Sequence, residues 1–193
     1  EKRSEMEVVC FNIDGREFGV DMTRTKTIEN RKDLINRPDL PDFVMGIVEI
    51  HGDLIPLIDI SQMLNIKPAD YSSNDAKILV FLMRTGSYAI PCDGISEIVH
   101  VENADTRTMP NYFVKRETDY TDCVFKKGNS LVLVLNPYKL LNDERQEKLM
   151  TLLEDMEKER IEKKRREAEE LKRKKEEEKR KREEEMRALE EKK

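Results

Sequence analysis

The sequence predicts a mainly β body of small β-barrels followed by a long C-terminal α-helix. Three observations carry this. Short apolar runs recur about every ten residues with turn residues between them, a rhythm that suits small barrels better than an α/β sheet. Residues 43–60 set two β-rich runs on either side of His51-Gly52-Asp53, the pattern of a tight hairpin with mostly buried strands. The last 51 residues hold 19 acidic and 19 basic side chains, placed for helical i,i+4 pairing.

In chain order, residues 8–13 and 18–22 flank Asp14-Gly15, a first hairpin. Residues 23–31 are ambiguous: threonines disfavour helix, while Thr23 is able to cap a short turn. Residues 33–42, with Pro38 and Pro41, read as an irregular loop. In the central hairpin, Ile47, Val48 and Ile50 form one run and Leu54, Ile55, Leu57 and Ile58 the other. Pro56 lacks a ladder donor and is expected at an edge or a bulge. Asp59 and Ser61 offer caps for a short helix at residues 62–64, and residues 67–75 form a second loop. Residues 76–83 and 88–90 flank Thr85-Gly86-Ser87 as another hairpin, residues 95–101 alternate as a strand, and residues 102–116 are polar and irregular around Pro110. Residues 120–125 and 131–135 flank a turn at 126–129 and make the last hairpin.

Asn136-Pro137 reads as a helix start, a capping side chain followed by proline at the first helical position. Tyr138, Leu140, Leu141, Leu149, Leu152, Leu153 and Met156 supply an apolar stripe that fades after Ile161. Beyond it apolar residues are sparse: Ala168, Leu171, Met186, Ala188 and Leu189. The pairs Glu154–Lys158, Glu159–Lys163, Glu162–Arg166, Glu170–Lys174, Glu176–Arg180, Glu177–Lys181 and Glu178–Arg182 take over, each worth roughly 0.2–0.5 kcal/mol in an isolated helix. Without sustained apolar heptads, the segment reads as a solvated single helix rather than a coiled coil. Unbroken from residue 137 to 193 it would span about 85 Å, at ~1.5 Å per residue.

Composition excludes several classes. The chain has a net charge of −5, and since the tail is neutral, the body carries all of it, 22 acidic against 17 basic residues. This is not the concentrated positive charge of a nucleic-acid binder. No apolar run reaches the ~20 residues of a spanning helix, and no signal peptide is visible. The chain begins at Glu1 rather than Met, as a trimmed product would. Cys10, Cys92 and Cys123 lie in apolar runs without metal-type spacing and are expected as buried, reduced thiols of a cytoplasmic protein. His51 and His100 are the two histidines; there is no HExxH, phosphate loop or nucleophile elbow. Asp59 and Asp93 follow apolar residues and read as turn-capping carboxylates rather than catalytic ones. Catalytic, cofactor-binding and metal-ligating residues are therefore each expected to be none.

The central stretch, with Phe43, Val44, Gly46, Ile47, Ile50, Gly52, Ile55, Pro56, Leu57, Ile58 and Asp59, resembles the signature of the CheW family of chemotaxis coupling proteins. Residues 11–20, 93–99 and 131–141 are similar to the family's opening hairpin, a middle strand and the closing strand with its short helix, so the likeness covers roughly residues 6–141. Two positions depart: Glu49 stands where the family carries asparagine and His51 where it carries arginine. The resemblance implies two intertwined SH3-like β-barrel subdomains over residues 1–142, with residues 143–193 an added charged helical tail. It implies a non-catalytic adaptor that couples chemoreceptor cytoplasmic tips to the regulatory domain of a CheA-type histidine kinase, in rings that include other CheW-like domains. Such an adaptor would lie in the cytoplasm at receptor arrays beneath the inner membrane, without membrane insertion or nucleic acid. The alternative is a CheW-like scaffold module in a different kinase pathway, with the helix as a spacer or assembly element. The family's arginine helps form the coupling surface, so the expected partner-binding residues are Glu49, His51, Gly52 and Asp53. Val20, Ile28 and Val44 are further candidates for a groove between barrels, and each also reads as core packing.

Overall fold

The computed structural model describes residues 5–83, 86–102, 105–107 and 120–190. The chain divides into two compact units, Glu1–Thr151 and Leu152–Lys193. The first unit is two β-sheets; α2 (Asp143–Glu190) starts in the first unit and makes up the second.

One sheet has the order β8-β1-β2-β11-β10-β9, from β1 (Glu5–Ile13), β2 (Arg16–Asp21), β8 (Gly94–Glu102), β9 (Thr106–Arg107), β10 (Thr121–Lys127) and β11 (Ser130–Leu135). The other has the order β3-β6-β7-β5-β4, from β3 (Thr25–Asn30), β4 (Val44–Ile50), β5 (Asp53–Ile58), β6 (Lys77–Met83) and β7 (Gly86–Cys92). The chain thus starts one sheet, leaves to build the whole of the second, and returns to finish the first. The parallel pairing of β2 with β11, Gly19 opposite Val134, seals the return. This is the interleaving that the resemblance implies.

Both sheets curl. In the first, the two edge strands β8 and β9 are consecutive in sequence and separated by residues 103–105 alone, so the chain itself holds one edge near the other. In the second, the stretch after β3 meets the far edge. Ile35 and Ile47 exchange both backbone hydrogen bonds, at 2.7 and 2.9 Å, and form an antiparallel bridge. The first barrel is filled by Val8, Cys10, Val101, Cys123, Phe125, Val132 and Val134, the second by Val48, Ile50, Ile55, Leu57, Ile78, Val80 and Ala89. β1 is buried on both faces, since Val9, Phe11 and Ile13 are as inaccessible as Val8 and Cys10. That is why its sequence reads as a continuous apolar run and not as an alternation. Gly19 is needed for close approach: a Cβ there would lie 2.5 Å from Val8 Cγ1.

Several expectations change. The ambiguous residues 23–31 become a 3-10 turn (Met22–Arg24) and strand β3. The Asp21 carboxylate caps that turn by accepting from Thr23 N at 2.8 Å, so Thr23 is capped and is not the cap. Pro56 lies neither at an edge nor at a bulge: β5 runs between β7 and β4. Ile47 spends its N–H and C=O on Ile35, pointing away from β5, and Ile47 is opposite Pro56. An antiparallel pair of that kind is not hydrogen-bonded to itself, so the Pro56 backbone faces β7. The missing donor is felt there, where Leu57 opposite Ala89 is the one ladder pair among the described residues. Asn136 does cap, its Oδ1 accepting from Tyr138 N at 2.9 Å, but it caps an isolated turn. The Tyr88 hydroxyl donates to Pro137 O and occupies a carbonyl that a continuing helix would use. The long helix starts at Asp143 instead, where Asn142 Oδ1 accepts from Arg145 N at 2.9 Å. Thr85, most of the stretch 102–116 and the side chains of Ala188 and Leu189 lie outside the described residues.

In α2 the expected pairs Glu162–Arg166, Glu170–Lys174, Glu177–Lys181 and Glu178–Arg182 form, whereas Lys158, Lys163 and Arg180 are found with Asp155, Glu167 and Glu184, and Arg165–Glu169 adds a further reverse-order pair. From residue 157 to 187 every side chain is exposed. Among the described residues no helix is long and apolar enough to cross a membrane.

Candidate partner-binding surface

The central hairpin turns in two residues. Ile50 pairs with Asp53, and His51 and Gly52 between them have φ of +53° and +85°, the signs of a type I′ turn. Glycine takes that conformation freely, whereas His51 holds it as one of three non-glycine residues with positive φ among those described. The geometry projects the imidazole outward, leaving its side chain 76% exposed.

The turn faces β3, so the closing edges of the second barrel meet at it. His51 Nε2 is 3.6 Å from Glu29 Oε1, an ion pair when the imidazole is protonated and too long for a hydrogen bond. Glu29 is more buried than its partner, and its Oε1 accepts from Thr27 Oγ1 at 3.0 Å, which orients the carboxylate before any partner arrives. Lys26 Nζ is 3.7 Å from Asp53 Oδ2. The result is a small plot of alternating charge, Lys26, Glu29, His51 and Asp53, with exposed Glu49 and the half-exposed apolar Leu54 opposite each other on the hairpin. Each surface pair is worth about 0–1 kcal/mol, so the plot holds the turn loosely.

Four of the seven sequence-expected residues, Glu49, His51, Gly52 and Asp53, therefore come together. The other three do not join them. Val20 and Val44 are 1% and 7% exposed and present no side chain to a partner, since each packs into the core from its strand. Ile28 is half-buried on β3. Sequence reasoning missed Lys26 and Glu29. The signal was weak: residues 25–30 alternate polar and apolar side chains only in part, and nothing local tells that β3 meets the β4–β5 turn.

Asp59, Asp93 and the three cysteines are engaged in the fold. Asp59 Oδ1 accepts from Ser61 N at 2.8 Å, at the start of α1 (Ser61–Leu64). Asp93, where the chain crosses from β7 back to β8, accepts from Asp14 N at 2.9 Å and Asp70 N at 2.7 Å and so ties turns of both sheets together. All three cysteines are buried and free. Burial pushes the Cys10 and Cys123 thiols up to about 11 and Cys92 to about 12, so the nucleophilic thiolate is disfavoured near neutrality. Among the described residues no group of three or more His, Cys, Asp or Glu is placed to hold a metal ion.

With this geometry in hand, comparison with known proteins is decisive for the family. A family model for the CheW-like domain matches residues 7–145. The chain belongs to the CheW-like family. Curated members similar to it include "Chemotaxis protein CheW" of Treponema pallidum, 23% identical over 151 residues, 77% of this chain and 89% of that protein. "Chemotaxis protein CheW" of Klebsiella aerogenes is 22% identical over 138 residues, 72% of this chain and 82% of that protein. Among solved structures, the scaffolding protein TtCheW from Thermoanaerobacter tengcongensis superposes with a TM-score of 0.63 at 18% identity, covering 71% of this chain and 88% of that one. The likeness confirms the CheW-like fold of the two-sheet body. The family match ends at residue 145, the third residue of α2, so the charged tail lies beyond it.

Proposed function

We infer that this protein is a non-catalytic adaptor of chemotaxis signalling, coupling chemoreceptor cytoplasmic tips to the regulatory domain of a CheA-type histidine kinase. The observation that carries this reading is the match of the CheW-like domain across residues 7–145, with relatives that are themselves named chemotaxis proteins. Thiols and carboxylates committed to packing and capping support a protein that binds rather than reacts. On this reading the plot around Glu49, His51, Gly52 and Asp53 is part of the coupling surface, at receptor arrays on the cytoplasmic side of the membrane. Residues 1–142 do the coupling, and residues 143–193 act as a spacer or assembly element.

The test is binding of the full chain to a CheA regulatory domain and to a receptor tip, with and without residues 157–193. Both partners are expected to bind, and the deletion is expected to leave kinase binding and the folded body intact while altering array spacing. Absence of kinase binding by the full chain overturns the reading. His51→Arg restores the family's usual residue but places a permanent cation with a longer reach beside Glu29 and Lys26. It is expected to weaken binding to the cognate partners by up to about fivefold, the ~1 kcal/mol scale of a surface charge pair. Unchanged or tighter binding would show that His51 is no specialisation.

A further inference from the structure

We propose that the β4–β5 hairpin is a sliding element, free to shift as one piece against the rest of its barrel. The geometry that points to this is a contrast in backbone bonding. Within the hairpin the ladder is long, from Val44 opposite Ile58 to Ile50 opposite Asp53. The neighbouring β6–β7 ladder is longer still, seven pairs from Lys77 opposite Cys92 to Met83 opposite Gly86. On its two flanks the hairpin has far less. Toward β7 the one pair among the described residues is Leu57 with Ala89, and the next rung would draw on the N–H that Pro56 lacks. Toward β3 the closure is the Ile35–Ile47 bridge, helped by the Lys26–Asp53 and His51–Glu29 ion pairs, both longer than 3.5 Å.

What secures the hairpin is apolar contact: Val48, Ile50, Ile55 and Leu57 are buried against Ile78, Val80 and Ala89. Apolar burial is non-directional, so a shear small enough to need only side-chain re-packing gives up little of it, whereas a hydrogen-bonded ladder resists the same displacement rung by rung. The two poor seams therefore bound a well-bonded unit that carries the His51-Gly52 turn at its tip. Shear of packed elements is one of the known forms of conformational switching. That the shift would report binding at the tip rests on the function proposed above; the shift itself does not, and the experiment needs no partner.

The experiment is site-resolved amide hydrogen exchange on the full chain, read at both seams together: the Ile35 and Ile47 amides on one flank and the Ala89 amide on the other. These are expected to exchange roughly tenfold faster than the β6–β7 amides, while amides inside the β4–β5 ladder remain protected. Pro56→Ala supplies the missing donor on the β7 side. It is expected to slow Ala89, and also to slow Ile35 and Ile47 across the hairpin by a similar factor, because one body is being held. Seam rates are compared directly between variants under identical conditions, and the β6–β7 amides report any change in global stability separately, since a local shift does not track it. Lys26→Ala, on the opposite flank, is the converse variant, expected to speed Ala89 exchange. Local fraying would confine each effect to its own seam. Seam amides as slow as β6–β7, or variants that affect only the near flank, overturn the proposal.

Discussion

The body and the tail are held by opposite physics. In the body, residues far apart in sequence are joined: β1 pairs with β8 almost ninety positions on, and β2 with β11 across more than a hundred. Its stability comes from burial of side chains such as Leu57, Ile78 and Val132, each fully inaccessible. In the tail from residue 157 to 187 no side chain is buried, and the recurring contacts are between residues three or four apart. A cooperative core fails as a whole, whereas a helix of local pairs loses strength in increments. The difference teaches where a substitution will be felt, and it supplies three tests.

The largest effect is expected in the core. Leu57 is 0% exposed and sits at the β5–β7 seam among Val48, Ile55 and Ala89. Leu57→Ala should cost about 2–5 kcal/mol of body stability through lost burial and the cavity left behind. Urea unfolding followed by tyrosine fluorescence, the chain having no Trp, would report the loss. The tail's helical signal at 222 nm should persist beyond the body transition. A tail that melts with the body would break the comparison.

A smaller effect separates backbone from packing inside the body. Gly52 has φ of +85° and nothing within 4 Å of an added Cβ, so Gly52→Ala meets no clash and costs only the conformation, about 1–2 kcal/mol. Gly94→Ala also meets open space but lacks the positive φ, and should change stability by no more than about 0.5 kcal/mol. Equal effects in the two variants would mean that the turn is not held in its left-handed form in solution.

The same contrast explains what could be read in advance. The tail was legible because its information is local: charges four apart state the helix, while its start, read at Asn136-Pro137, lies at Asp143 after the Asn142 cap, because Tyr88 holds the Pro137 carbonyl. The hairpins were legible for the same reason, through Asp14-Gly15 and His51-Gly52. What escaped is long-range. Residues 25–30 hold too few β-rich side chains to declare a strand, and β3 exists because β6 pairs with it from Thr25–Phe81 to Asn30–Lys77. Pro56 suggests an edge by its own chemistry, yet its barrel tolerates it in an interior strand by giving up rungs toward β7. At the candidate surface the turn residues were visible, but Lys26 and Glu29 reach it only because the sheet closes on itself.

The smallest effect is expected in the tail, where pH separates the two kinds of order. Glu170 and Glu177 donate nothing to a core; a hydrogen bond and then the charge of Lys174 and Lys181 hold their carboxyls below the usual value of 4.5. A carboxyl whose folded pKa is depressed contributes stability that is present above 4.5 and is lost as pH falls through the folded value. Lys181 is raised above 10.5, first by its hydrogen bond from the ammonium to Glu177 and then by that residue's charge. Its contribution is complete below 10.5 and is lost as pH rises through the folded value. The tail's share of the 222 nm signal should therefore be flat across neutrality and decline at both extremes. Acid also titrates the body, so the decisive comparison is with the double variant Lys174→Gln and Lys181→Gln. Both side chains are exposed and far from any core in sequence, and their loss should leave the body's urea midpoint in place. It should lower the helical signal slightly at neutral pH and make the acid limb shallower, because Glu170 and Glu177 lose their hydrogen-bonded partners and keep only the weaker charge of Arg173 and Arg180. An unchanged acid limb would mean that propensity alone, and not ordered charge, keeps the tail helical.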